Sequence, residues 1–376
     1  MNRIRSALLA LACTLLTLPA WGARLKVVQI ADYSSSRASL GTALRYGARL
    51  AIEEANRNGG VNGHTIDFVT LDDQYKPEET VRLLKDALNT VDPIAIVNIL
   101  GTGTTAAVIK DGVLDSAGIA LIGPYTGADS LRTPLNRQVF HVRASYGEEV
   151  DRIAEHFANI GAKRVGLLRE SGPFGEAIGV AFDAAAKKHG LEVVAIGVTP
   201  EGSDDVAAGV AKVAAAEPNG VLLGTAGRPT SRLVKATHEA GMLAARIMLS
   251  VNDLDQIREF AGNAAARGVG KVAVMPDPQS CTLDLCRELK RLHESHGDPK
   301  QPLTPNTVEG YISARAFLSA LAHVSGEPTR AKLRAALESA GRMDFGGFAL
   351  SFGPERHNGS NYMDIGVLGS GGQIMY

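Results

Sequence analysis

Two segments rich in glycine and hydroxyl side chains each follow a short apolar run. Residues 100–105 (LGTGTT) follow the run 94–99, and residues 123–127 (GPYTG) follow the run 119–122. Apolar runs of this length are typical of buried strands, and the carboxyl ends of neighbouring parallel strands form the crevice in which open α/β sheets hold ligands. The spacing therefore predicts a binding site formed by these two turns.

The first turn also begins an apolar-periodic segment that ends at Ala117 and predicts a helix. Backbone N–H groups at a helix start, together with the hydroxyls of Thr102, Thr104 and Thr105, suit a carboxylate or another anion. Threonine is favoured at a helix start without any ligand, so plain capping is the alternative interpretation. The third glycine and the lysine of nucleotide-binding loops are missing from this turn. We therefore predict a site for a small solute.

Other groups that could do chemistry have simpler interpretations. Asp72 and Asp73 could bind a metal, but capping the next helix is favoured. His293 and His296 lie three apart on a charged segment, which favours a solvated helix face over a metal site. The sequence contains no HExxH motif, serine-hydrolase elbow or zinc-binding spacing. We predict that the protein is not an enzyme and needs neither metal nor cofactor.

The N-terminal segment has the pattern of a secretory signal. Arg3 and Arg5 precede the apolar run 7–18, which is shorter than the roughly 20 residues of a membrane span. Small residues follow, and we predict cleavage after Gly22, with Ala23 as an alternative edge. A lipoprotein attached through Cys13 is disfavoured because apolar residues continue beyond the cysteine. The pattern predicts an exported, periplasmic protein.

Composition limits the classes of partner. The 376 residues carry a formal net charge of −1, and removal of the signal with its two arginines leaves 354 residues and a charge of −3. This near balance argues against nucleic acid, which calls for a basic face. A mature chain of this length predicts roughly two domains.

Cys281 and Cys286 are the cysteines that remain after the signal is removed. In an oxidising compartment they could close a small loop at a helix start, provided that the first turn is irregular. A disulfide is favoured over two free thiols, and a metal pair is disfavoured.

Strands alternate with helices of ten or more residues over most of the chain, which predicts an α/β fold with parallel, doubly wound sheets. The predicted strands are 26–30, 66–71, 94–99, 119–122, 139–142, 164–168, 191–198, 220–224, 246–249 and 270–275. The predicted helices are 41–58, 78–89, 148–160, 174–189, 204–216, 230–240, 281–296, 307–324 and 329–340. Two last strands, 345–350 and 362–368, are predicted to close a small sheet.

The order of several short motifs resembles a known family. Residues 41–56, 59–63 (GGVNG) and 71–73 (LDD) are similar to the opening segment of type I periplasmic solute-binding proteins, above all the leucine/isoleucine/valine-binding proteins of ABC transporters. Further matching segments follow in the family's order: 123–132, 142–146, 174–175, 309–311 and 357–360. No single motif is specific, but together they cover nearly the whole mature chain.

The resemblance implies two doubly wound lobes joined by a three-strand hinge and closing on a ligand. Residues 1–22 are then the signal peptide. Lobe 1 takes residues 23–142 and 278–352, and lobe 2 takes residues 143–277 and 353–376. We expect the chain to cross between lobes near Ala144–Ser145 and Pro276–Pro278.

The resemblance also implies which residues contact the ligand. The matching positions are Leu40, Leu100, Thr102, Tyr125, Thr126 or Gly127, and Phe174. Thr102 falls where a hydroxyl holds the ligand carboxylate, and Leu100 lines the side-chain pocket. The Tyr125 backbone falls where the amino-acid head is bound. Leu40 and Phe174 occupy aromatic wall positions, and only Phe174 is aromatic.

Two departures bear on the ligand. The family has an acidic residue for the ligand ammonium in the loop after strand 246–249, where this chain offers Asp253 or Asn252. The family has an aromatic residue after strand 220–224, where this chain has Arg228 nearby, which suggests a ligand with a second acidic group. A solvated or paired side chain for Arg228 and helix capping for Asp253 are the alternative interpretations.

The resemblance implies the substrate-binding subunit of an ABC importer. We expect a monomer that captures a small amino acid or related carboxylate and delivers it to membrane permease subunits. A periplasmic sensor component that feeds a receptor kinase is the alternative, because the same two-lobed trap serves both.

Overall fold

The computed structural model of the protein describes residues 22–369, 374 and 375. The predicted signal peptide, except for Gly22, lies outside the described residues, as does Cys13. Within the described part of the chain, no helix is both long and apolar enough to cross a membrane.

The first part of the chain forms a parallel five-stranded sheet in the order β2-β1-β3-β4-β5. Its elements are β1 (Arg24–Ala31), α1 (Ala38–Arg57), β2 (Thr65–Asp72), α2 (Pro77–Thr90), β3 (Ala95–Ile99), α3 (Thr102–Asp111), α4 (Val113–Ala117), β4 (Ala120–Ile122) and β5 (Val139–Phe140). The predicted helix that ends at residue 117 is divided at Gly112, whose φ of 77° is left-handed and ends α3.

A second, seven-stranded sheet follows, in the order β14-β13-β10-β9-β8-β6-β7. The middle of the chain supplies α5 (Tyr146–Asn159), β6 (Arg164–Glu170), α6 (Gly172–His189), β7 (Glu192–Thr199), α7 (Ala207–Ala215), β8 (Gly220–Gly224), α8 (Arg228–Glu239), β9 (Ala245–Met248), α9 (Leu254–Ala261), α10 (Asn263–Ala266) and β10 (Gly270–Ala273). Strands β6 to β10 are parallel. The predicted helices did not include α9 or α10.

The last part of the chain returns to the first sheet and then to the second. Its elements are α11 (Asp284–His296), α12 (Pro305–Ala322), α13 (Arg330–Ser339), β11 (Gly341–Asp344), β12 (Ala349–Phe352), β13 (Asp364–Leu368) and β14 (Ile374–Met375). Helix α12 packs on α1, β3 and β4, whereas β13 joins β10 in the seven-stranded sheet. We call the elements around the five-stranded sheet the first lobe and those around the seven-stranded sheet the second lobe.

The prediction of a small sheet from residues 345–350 and 362–368 is wrong. Residues 345–348 form the turn of the β11–β12 hairpin, in which the Phe345 amide donates to the Phe348 carbonyl at 2.8 Å. Gly346 and Gly347 have φ values of 70° and 94°, which glycine adopts readily and a strand does not. The segment after residue 362 pairs antiparallel with β10 instead.

Both sheets are covered on two faces, as a doubly wound fold requires. Neighbouring residues of β1 point to opposite faces, so Val27 packs in the cluster that contains α1 and α12, while Val28 packs against α2, α3 and α4. In the second sheet, Leu167 and Leu168 of β6 divide between two clusters in the same way. The α/β prediction with two parallel-sheet lobes is confirmed.

Helices α1 and α12 approach so closely that glycine is required at the contact. A Cβ at Gly47 would overlap the Thr307 carbonyl oxygen, and one at Gly310 would overlap the Leu44 carbonyl oxygen. The Thr304 hydroxyl accepts a hydrogen bond from the Thr307 amide and so begins α12. The resulting helix is buried along most of its length and forms the centre of the first lobe.

The chain passes between the lobes three times, at residues 141–145, 274–283 and 353–363. The first and third passages run side by side: the His141 amide donates to the His357 carbonyl, and the Gly359 amide donates to the His141 carbonyl, both at 2.8 Å. Arg132 ties them together by donating to Asn358 Oδ1 and to the Arg143 carbonyl, both at 3.1 Å. These passages form the connection about which the lobes could rotate.

Cys281 and Cys286 are joined by a disulfide, with their Cα atoms 6.2 Å apart. The predicted helix 281–296 begins only at Asp284, so Cys281 lies in the irregular turn before it. That irregularity is what the pairing required.

Candidate ligand-binding site

A pocket lies where the two lobes face each other at the carboxyl ends of their parallel strands. Its walls are Arg37, Leu40, Tyr75, Leu100, Gly101, Thr102 and Tyr125 from the first lobe, and Tyr146, Phe174, Ala226 and Val251 from the second. The cavity between them has a volume of only about 10 Å³, far below the 300–1,000 Å³ typical of ligand pockets. The walls of the two lobes therefore nearly meet here, and the lobes must move apart to admit a ligand.

The floor of the pocket is built by the two turns that the sequence singled out. The Tyr125 amide donates to the Ile99 carbonyl at 2.8 Å, and the Gly101 amide donates to the Tyr125 carbonyl at 3.2 Å. These bonds hold the turn after β4 beside the turn after β3. They bring the hydroxyls of Thr102 and Thr126 within 2.8 Å of each other.

Gly101 is needed at this point for two reasons. Its φ is 114°, and a Cβ there would collide with the ring of Tyr75, which forms part of the wall. Gly101 is also the N-cap of α3, and no side chain in the described structure caps that helix. The first backbone amides of α3 therefore have no capping partner next to the pocket.

Five of the predicted ligand residues line the pocket: Leu40, Leu100, Thr102, Tyr125 and Phe174. The backbone of Tyr125, however, is already used in the pairing of the two turns. The Tyr125 hydroxyl donates to Asn306 Oδ1 at 2.7 Å.

Three other predicted residues lie behind the walls. The Thr104 hydroxyl donates to the carbonyls of Leu100 and Gly101, at 2.6 and 3.0 Å, and so tightens the turn. The Thr126 hydroxyl forms a hydrogen bond with the Thr102 hydroxyl at 2.8 Å. Gly127 packs against the ring of Tyr146, with no space for a Cβ between them.

The structure does not bring Arg228 or Asp253 to the pocket. Arg228 begins α8 and donates to Asp204 at 3.0 Å on the half-exposed surface. Asp253 accepts a hydrogen bond from the Gln256 amide at 3.3 Å, at the start of α9. Their positions match the alternative interpretations, a solvated or paired side chain for Arg228 and a helix cap for Asp253.

Asn252, the other candidate in that loop, forms hydrogen bonds within the second lobe and does not line the pocket. Its side chain accepts from the Gly227 amide at 3.2 Å and donates to the Thr225 carbonyl at 3.1 Å. These bonds fix the loop that presents Val251 to the pocket.

Arg37 is a wall residue that the sequence prediction missed. Its guanidinium lies 4.0 Å from the centre of the Tyr75 ring, and it donates to Glu170 Oε1 at 2.5 Å. Burial acts to lower the pKa of Arg37, but Tyr75 and Glu170 outweigh burial and raise it, so the side chain is charged. Burial raises the pKa of Glu170, against the effect of Arg37.

The loop after β1 is shaped by the carboxylate of Asp32. It accepts hydrogen bonds from the amides of Ser34, Ser35 and Arg37, at 3.0, 2.7 and 2.9 Å. An aspartate and three serines within the five residues 32–36 form a turn pattern, and this turn follows a strand at the same sheet edge as the other two. That position was the sequence signal that could have identified Arg37.

A buried cluster of charges supports the pocket from behind. Arg143, in the first passage between lobes, contacts Glu149 at 3.1 Å and Glu309 at 3.4 Å, and donates to the hydroxyl of Ser250. Its guanidinium lies 4.9 Å from the centre of the Tyr125 ring. Burial raises the pKa of Glu309 to about 7, although Arg143 opposes the shift.

Comparison with known proteins identifies the family. Residues 24–373 match the family model of the periplasmic binding proteins. A substrate-binding periplasmic protein from Ralstonia solanacearum has a similar structure, with 33% identity, a TM-score of 0.89 and coverage of 93% of this chain and 99% of that one.

Two curated relatives are more distant. Leu/Ile/Val-binding protein homolog 3 of Brucella melitensis is 29% identical over 218 residues, 57% of this chain and 58% of that protein. A chemotactic signal transduction system substrate-binding protein of Halobacterium salinarum is 25% identical over 304 residues, 77% of this chain and 67% of the relative. The match to the first of these thus spans less than two thirds of that relative's length. The chain belongs to the type I periplasmic binding proteins of the leucine/isoleucine/valine-binding type, a family of substrate-binding proteins rather than enzymes.

Proposed function

We propose that this protein is the solute-binding subunit of an ABC importer and that it captures a small amino acid or related carboxylate between its closing lobes. The observation that carries the proposal is the floor of the pocket. There the Thr102 hydroxyl, supported by Thr126 at 2.8 Å, lies beside the uncapped first amides of α3. Hydroxyl donors and helix-start amides are the groups that bind a carboxylate.

The rest of the pocket suits the apolar body of such a ligand. Leu40 and Leu100 of the first lobe face Phe174 and Val251 of the second. Phe174 packs edge to face with Tyr146, at 5.3 Å between ring centres, which fixes the aromatic wall. A small carboxylate with an apolar side chain would therefore place its acid on the floor and its body between the lobes.

A ligand screen tests this proposal. Leucine and 4-methyl-2-oxopentanoate form a matched pair that differs in the ammonium group, and both should be part of a thermal-shift panel of amino acids and carboxylates. A ligand at 100 times its Kd stabilises the folded state by about 2.7 kcal/mol. If no amino acid or carboxylate raises the unfolding temperature, the proposal is contradicted.

Thr102→Val tests the floor of the pocket directly. It removes a hydroxyl with little change of shape, and the loss of a hydrogen bond to a charged group, about 1.5–3 kcal/mol, should weaken binding about tenfold or more. Thr104→Val is the matched control, because the Thr104 hydroxyl bonds backbone carbonyls outside the pocket. Equal affinities of the two variants, measured by calorimetry, would show that the carboxylate is bound elsewhere.

A role as a periplasmic sensor component that feeds a receptor kinase is the second candidate. The Halobacterium salinarum relative, a substrate-binding protein of a chemotactic system, favours it. Uptake of labelled ligand by cells that lack the gene separates the two roles. Lost uptake supports the importer, while normal uptake with a lost response to the ligand supports the sensor.

We further propose the lobe bounds inferred from the sequence, 23–142 with 278–352 and 143–277 with 353–376, and a monomeric protein. The family is periplasmic. A cleaved signal peptide is proposed from residues 1–22, and N-terminal sequencing of the exported protein should start at Ala23. Permease subunits of a transporter are the proposed partners.

A further inference from the structure

An ion pair joins the two lobes beside the pocket. Arg37 directly precedes α1 in the first lobe, and Glu170 is the last residue of β6 in the second. The guanidinium and carboxylate are 2.5 Å apart, and the two side chains are 2% and 0% exposed. Because the partners belong to different lobes, the pair exists only while the lobes are together.

Each partner is anchored within its own lobe. The Arg37 guanidinium lies over the Tyr75 ring at 4.0 Å, and the backbone amide of Arg37 donates to Asp32 at 2.9 Å. The second oxygen of Glu170 accepts from the Gly202 amide at 3.4 Å. Neither side chain can follow the other when the lobes separate, so rotation about the hinge must break the contact.

The neighbouring contacts between the lobes are uncharged and short. The Gln256 side chain donates to the Ser39 hydroxyl at 3.1 Å. A Cβ at Gly227 would lie 3.0 Å from the Ser36 carbonyl oxygen, so the backbones of the two lobes nearly touch there. In the closed form Arg37 and Glu170 are thus shielded from water, and in an open form both would be hydrated.

We propose that the Arg37–Glu170 pair is the contact that holds the lobes closed, so that Glu170 sets ligand affinity without touching the ligand. This inference rests on the proposed ligand-binding function only for its affinity readout. Removing the Glu170 charge leaves Arg37 buried without its closest counter-charge in the closed form alone. The closed population falls, and the apparent affinity falls by the same factor for every ligand.

Glu170→Gln is the test variant because Glu170 does not line the pocket. Glu192→Gln is the matched control: Glu192 of β7 pairs with Arg164 of β6 at 3.4 Å, but this pair is exposed and lies within the second lobe. Glu201 also faces Arg37 and could partly replace Glu170, so Glu170→Gln with Glu201→Gln is the second variant.

Two readouts are measured on the full protein. Spin labels at Glu78 in α2 and Glu176 in α6, one on each lobe and both exposed, report the distance between lobes without ligand. Calorimetry reports affinity for each compound that binds in the ligand screen. Arg37→Lys, which keeps the charge but not the flat contact with Tyr75, gives an intermediate test if the glutamine variants unfold.

We expect Glu170→Gln to lengthen the label distance and to weaken all ligands by one common factor of about ten or more, with a larger effect in the double variant. The Glu192→Gln control should match the wild type. Label distances that do not differ from the control overturn the proposal. A loss confined to ligands with an ammonium group also overturns it, since Glu170 would then be a ligand contact. If no compound binds the wild type, the proposed function fails, and the label distances alone decide this inference.

Discussion

The buried carboxyl of Glu309 should make the stability of the folded protein depend on pH, and Glu309→Gln should remove that dependence. Burial raises the pKa of Glu309 from 4.5 to about 7, and Arg143, shared with Glu149, compensates only in part. A raised pKa in the folded state means that folding favours the protonated carboxyl. This contribution to stability is fully present below about pH 4.5 and is lost as the pH rises through about 7.

The size of the effect follows from the two pKa values. A change of one in pKa corresponds to about 1.36 kcal/mol, so 4.5 and about 7 differ by about 3 kcal/mol in the free energy of unfolding. At roughly 2 °C per kcal/mol, the wild-type unfolding temperature should fall about 6 °C more than that of Glu309→Gln between pH 4.5 and pH 8.

Thermal unfolding followed by circular dichroism across this range measures the difference between the two proteins. Asp73, whose pKa burial raises to about 6, contributes with the same sign but is present in both proteins and cancels. Glu78→Gln on the exposed surface of α2 controls for the loss of one carboxylate. Parallel curves for wild type and Glu309→Gln would refute the reasoning, because Glu309 would then be ionised in the folded state throughout.

Reduction of the disulfide and two glycine substitutions test the packing of the fold. Reduction of the Cys281–Cys286 disulfide should lower stability by about 2 kcal/mol, as expected for so short a loop, and leave ligand affinity unchanged; unfolding and calorimetry with and without reductant check both. Gly47→Ala should destabilise the protein strongly, by about 2 kcal/mol or more, because its Cβ has no space against α12. Gly209→Ala, whose Cβ would meet its nearest atom at an ordinary 3.6 Å, should be neutral or stabilising in the same unfolding assay.

Helices and strands were predictable where the pattern of buried residues agrees with the residues that end an element. Parallel strands such as β3 are buried on both faces and appear in the sequence as continuous apolar runs, and the glycines after α1 and α6 end those helices. The C-terminal hairpin was not predictable in this way, because Phe345 and Phe348 resemble an apolar strand. Both residues lie in a turn and still bury their aromatic rings, which the sequence pattern alone does not show.

The candidate site was predictable where a residue directly follows a strand. Thr102 and Tyr125 are fixed by local turns, so their neighbourhood follows from strand order. Arg37 lies in the turn after β1 that Asp32 shapes, but its pairing with Glu170, which is distant in sequence and lies on the other lobe, is visible only in the structure. Arg228 does not line the pocket, because it begins α8 and pairs with Asp204 on the surface. Only the packed structure shows this pairing.

The position of α12 has a consequence for how the molecule can be assembled. This helix fills the middle of the first lobe, yet residues 146–273, which build most of the second sheet, precede it in the chain. A fragment that ends before Pro305 would leave α1 and the adjoining face of β3 and β4 open to water. The first lobe therefore cannot complete its fold until α12 has been synthesised. The contacts between α1 and α12, which are far apart in sequence, should make folding slow.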